Sequence, residues 1–68
     1  MKEILKLVSV AEYEEFRKRA MESTGWNRTQ YSDRKIGRTK LTFLERKELL
    51  HVVQEMHREE SLPQTINN

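Results

Sequence analysis

No cysteine occurs among the 68 residues, so no disulfide can staple this chain and no thiolate-built zinc site can form in it. Glycine and proline are scarce, two and one. Only Gly25 and Gly37 let the backbone approach a ligand closely, which excludes a glycine-rich phosphate loop or a nucleophile elbow. No apolar run approaches the roughly 18 residues of a membrane span. The opening Met-Lys-Glu-Ile-Leu-Lys-Leu-Val also lacks the apolar core and small-residue cleavage site of a secretory signal. A cytoplasmic protein without a membrane partner is the expectation.

What is present is charge. Hydrophobic and charged residues each make up 35% of the chain, a polar balance for a folded domain. A chain this short holds one core and buries only about 60% of its unfolded surface. With no covalent staple, helix packing or a second subunit must supply the margin. A positioned, water-excluded catalytic pocket is not expected at this size, and neither is an enzyme.

Two helix starts are written out. Ser9-Val10-Ala11-Glu12 and Thr42-Phe43-Leu44-Glu45 both fit the capping box, in which hydroxyl and carboxylate each satisfy an orphan backbone N–H. After the first box, Val10, Tyr13, Phe16, Arg17, Ala20 and Met21 share one side at 100° per residue, with Ala11, Glu14, Glu15, Lys18 and Glu22 opposite. The helix should stop at Ser23-Thr24-Gly25, where glycine supplies a left-handed cap. After the second box, Phe43, Leu49, Leu50, Val52, Val53 and Met56 form a broad apolar face, and the helix should run to Arg58 or Glu60. The spacing predicts an all-α domain over residues 1–60 with two amphipathic helices, Ser9 to Thr24 and Thr42 to Glu60, and a polar tail over 61–68.

Residues 1–8 are too few for periodicity to separate a short strand from an early helical turn; either way Ile4, Leu5, Leu7 and Val8 should pack on the core. If they fall short, the wide face of the second helix is partly uncovered, and a homodimer is expected to cover it. Between the helices, Ser32-Asp33 reads as an N-cap for a short third helix through Arg38.

Charge is unevenly divided. Residues 1–25 carry five basic and five acidic side chains, residues 26–47 carry seven basic against Asp33 and Glu45, and the remainder has Arg58 against four glutamates. The middle is therefore +5 and the end −3. Cations neutralise phosphates, amides read base edges and aromatics stack on unpaired bases. Binding of nucleic acid, DNA before RNA, is the function this composition points to. Arg28, Arg34, Lys35, Arg38 and Lys40 are the expected phosphate contacts, extended by Arg46 and Lys47. Asn27 and Gln30 are the expected base readers, and Tyr31 a stacking group, with Trp26 assigned to the core. The rival reading is a protein-interaction module, a small inhibitor or adaptor, using the same patch or a spare apolar face.

Two DNA-binding outlines fit in part. A short helix to Arg38, the connection 39–41 and the capped helix from Thr42 give a helix-turn-helix outline in which Thr42, Glu45 and Arg46 face the groove. A strand from Glu3 to Val8 leading into Ser9 resembles the opening of a ribbon-helix-helix protein. Residues after Gly25 lack the apolar periodicity that the second fold needs. His51 and Glu55 share a helix face, but two ligands do not make a metal site, and no cofactor is expected.

Overall fold

Both capping boxes close. In a computed structural model that describes residues 1–61, the last two by backbone alone, the Glu12 carboxylate accepts from the Ser9 N–H at 2.8 Å. Thr42 and Glu45 exchange hydrogen bonds of 3.0 and 3.1 Å. The first box opens a single 3-10 turn, Val10–Glu12, which passes into helix α2, Tyr13–Thr24. Gly25 ends α2 at φ 81, its N–H bonded to the Met21 carbonyl at 2.9 Å. The second box opens α4, Phe43–Ser61. Two shorter helices complete the chain, α1 at Lys2–Leu5 and α3 at Arg28–Lys35. No strand occurs among the described residues, and the fold is all-α.

The central pair is α2 against α4, with α1 laid on α4 and α3 on α2. Phe16 and Ala20 meet Leu49, Val52, Val53 and Met56 in the core, and Ile4, Val8, Trp26 and Tyr31 close its ends. The lead-in is thus helical at its start and contributes Ile4 and Val8. Leu7 points out, and Leu5 is half-buried. The strand required by the ribbon outline is not formed.

Within one chain, Leu49, Val52, Val53 and Met56 of α4 are buried in one core with Phe16, Ala20, Ile4 and Val8. Phe43 departs from expectation, being 73% exposed. Seven residues before the half-buried Leu50, it has the same angular position at the rim of the face, and no element among the described residues covers it. Leu44, equally exposed, points elsewhere as its spacing implies.

The third helix exists, but five residues earlier than the sequence places it: it starts behind Asn27, not Ser32. Gly37, at φ 88, lies just past its end. The connection to α4 consequently spans residues 36–42 rather than 39–41. The predicted tail falls on Ser61, the last residue of α4, and on residues 62–68, which lie outside the described residues.

Candidate nucleic-acid interface

The residues that build α3 explain what its polar side chains do. Asn27 Oδ1 accepts from the Gln30 N–H at 2.8 Å, and Gln30 Oε1 accepts from the Asn27 N–H at 2.9 Å. This is the amide version of the capping box. Both side-chain oxygens are therefore committed to starting the helix, which leaves only the side-chain NH2 groups of the pair expected to read bases. Tyr31, expected to stack, is the one buried residue of α3 and belongs to the core. Burial raises its phenol above the ordinary value, against a smaller opposing influence of Arg17.

Arg34, expected on a phosphate, is also engaged in the fold. Its guanidinium carbon lies 4.6 Å from the centre of the Trp26 ring, its Nη1 donates to the Gln30 carbonyl at 3.1 Å, and its Nη2 to Glu45 at 3.4 Å. The side chain is only 16% exposed, and its buried Nε has no partner. Glu45 in turn holds the start of α4 through Thr42. Its carboxyl is lowered below the usual range first by the Thr42 backbone N–H, with burial opposing and Arg34 adding to the effect. Trp26, Arg34 and Glu45 form one polar joint between α3 and α4. Glu45 is therefore not available to face a groove.

The remaining expected contacts divide. Arg46 pairs with Glu3 at 3.3 Å, Arg38 lies 3.9 Å from Asp33, and Lys47 sits over the Phe43 ring at 5.7 Å. Arg28, Lys35 and Lys40 are exposed and form no ion pair among the described residues. Of the seven cations of residues 26–47, Arg34, Arg38 and Arg46 have carboxylate neighbours and Lys47 lies over Phe43.

A different set of cations lies along linked depressions. Three shallow depressions follow one another over α1, α2 and α3. The first is bordered by Lys2, Glu3, Lys6, Lys35 and Ile36. The second shares Lys35 with it and adds Glu14 and Arg17 beside Tyr13 and Tyr31. The third shares Arg17 and adds Lys18, Glu22 and Arg28. Along this band run the six cations Lys2, Lys6, Lys35, Arg17, Lys18 and Arg28, none in an ion pair among the described residues, against three carboxylates. One of those carboxylates, Glu3, is already held by Arg46. No family model, curated protein or solved structure matches the chain.

Four of the six, Lys2, Lys6, Arg17 and Lys18, escape a count by segment because residues 1–25 sum to zero. The signal was at the border of the two faces of α2, where Met21 and Glu14 adjoin and Arg17, from the apolar side, and Lys18, from the polar side, flank them, while Glu15 lies on the side of Arg19. Arg19 binds Glu15 at 2.7 Å and reaches across to Glu59 with bonds of 2.6 and 2.9 Å. These partners hold the Arg19 guanidinium well above its ordinary value and the Glu59 carboxyl below its own. That side of α2 is neutralised; the other is not.

His51 lies 3.7 Å from Glu55 on α4. Among the described residues, no group of three or more metal-ligating side chains converges, and no helix is long and apolar enough to cross a membrane.

Proposed function

We propose that the protein binds nucleic acid, DNA in the first place, as a small cytoplasmic regulatory or accessory protein and not as an enzyme. The observation that carries this reading is the band of six cations, unpaired among the described residues, running through depressions that share lining residues. A row of positive side chains along a shallow track is the form that a phosphate backbone fits, because each contact releases condensed counterions. The cations beside Glu3, Glu45 or Asp33 are partly neutralised, so we take the band, rather than the central segment as a whole, as the phosphate contact surface. Lys35 and Arg28 belong to both.

The test is a mobility-shift titration with labelled mixed-sequence DNA over a range of salt. With six phosphates engaged, affinity falls about a thousandfold between 50 and 200 mM salt. Replacing Lys6, Arg17 and Lys35 by alanine should lower the slope of log affinity against log salt by about three. An unchanged slope, or no binding at low salt, rejects the reading.

A protein partner, a second copy included, has one observation in its favour. Leu44 is exposed beside a separate depression bordered by Trp26, Glu45 and Glu48, where Glu48 also accepts from the Ser23 hydroxyl. This apolar and acidic spot is distinct from the basic band.

A further inference from the structure

Phe43 opens α4 with its ring largely in solvent, and nothing in the core requires it there. Its surroundings are cationic. The Lys47 ammonium lies 5.7 Å from the ring centre, and Arg46 follows three residues on, one turn along the same side of the helix. Arg46 reaches Glu3 at 3.3 Å, and Glu3 borders the depression that holds Lys2, Lys6 and Lys35. The helix turn that carries the exposed ring is therefore tied, through the Arg46–Glu3 bridge, to the depression that holds Lys2, Lys6 and Lys35.

An apolar docking centre for another protein is typically depleted of charge, with the polar groups at its rim. Here a cation, Lys47, stands over the ring itself. The ligand this suits has a flat face to lie on the ring and negative charge on the chain that carries it. A duplex keeps its base faces stacked on one another, whereas a single strand offers them. We infer that the preferred ligand is single-stranded nucleic acid, with an unpaired base stacked on Phe43 and the adjoining backbone laid along Lys2, Lys6 and Lys35. This inference rests on the nucleic-acid reading above and narrows it.

The test uses the full chain, a labelled mixed-sequence single strand and the same strand annealed to its complement, in fluorescence anisotropy at low salt. The single strand should bind more tightly than the duplex. Phe43→Leu should weaken single-strand binding about tenfold, as loss of a base-stacking ring does, while Phe43→Trp retains it. Leu keeps an apolar side chain at the position, so a role in folding alone would spare Leu and Trp alike, and circular dichroism of both variants checks that the fold is kept. Equal or tighter duplex binding, or a Leu variant that binds like the parent, overturns the inference and leaves the nucleic-acid reading standing. Failure of both strands to bind overturns both, and directs attention to a protein docked on Phe43.

Discussion

The seam between α2 and α4 and the joint that fastens α3 are built from different materials. The seam is apolar: Phe16 and Leu49 are fully buried, Ala20 lets the helices approach, and Val52, Val53 and Met56 fill in around them. Charge enters at its exposed edges, where Arg19 spans Glu15 and Glu59 and where Glu48 accepts from Ser23. The joint buries one side chain of α3, Tyr31, and otherwise depends on Arg34 lying on Trp26 and bonded to Glu45. In a chain with little apolar material, an arginine has been used where a larger domain would use a leucine. A cation in a basic segment is therefore no guide to function until its partners are known.

The sharpest way to break the comparison is at the seam. Phe16→Ala removes a fully buried ring and should cost about 3–5 kcal/mol, enough to unfold much of a domain whose whole stability is of order 5–15 kcal/mol. Urea denaturation followed by circular dichroism measures it. A loss below about 1 kcal/mol would mean that α2 and α4 do not share this core.

Next comes the joint. Arg34→Ala leaves Glu45 without its guanidinium and exposes the Trp26 ring, at an expected cost of about 1–3 kcal/mol. The neighbouring Lys35→Ala should stay within about 0.5 kcal/mol, as surface changes do. Melting temperatures of the two variants separate a structural cation from a binding one, and equal shifts would erase the distinction.

The smallest effect is in acid. Glu45 and Glu59 both hold their protons less tightly folded than unfolded, so the unfolded chain takes up more protons as pH falls. Stability that is present at neutral pH is then lost as pH drops below about 4.3, the ordinary glutamate value, through the lowered values of the two groups. Glu45→Gln should lower neutral stability by about 1 kcal/mol and flatten this acid limb. Parallel melting curves across pH for parent and variant would show that the Glu45 carboxylate does not participate.

Most of the frame was legible. Ser9-x-x-Glu12, Thr42-x-x-Glu45 and Gly25 write local hydrogen bonds directly into the sequence, and those bonds form within three or four residues. Asn27-x-x-Gln30 follows the same rule, but amides at those positions also look like base readers, which displaced the start of α3. Arg34 and Glu45 stand eleven residues apart with no periodic link, so only the folded chain brings them together. The basic band was hidden for a related reason. Lys2, Arg17 and Lys35 belong to three different helices, and charge counted along the chain takes no account of which face it lies on.

Glu45 serves two neighbours at once, accepting from the backbone at the beginning of α4 and from the side chain that pins α3. Neither helix end can fray without loosening the other. One carboxylate thus ties two local folding events into a single cooperative unit, and the 36–42 connector, with few apolar anchors of its own, is held in place from both sides by that coupling.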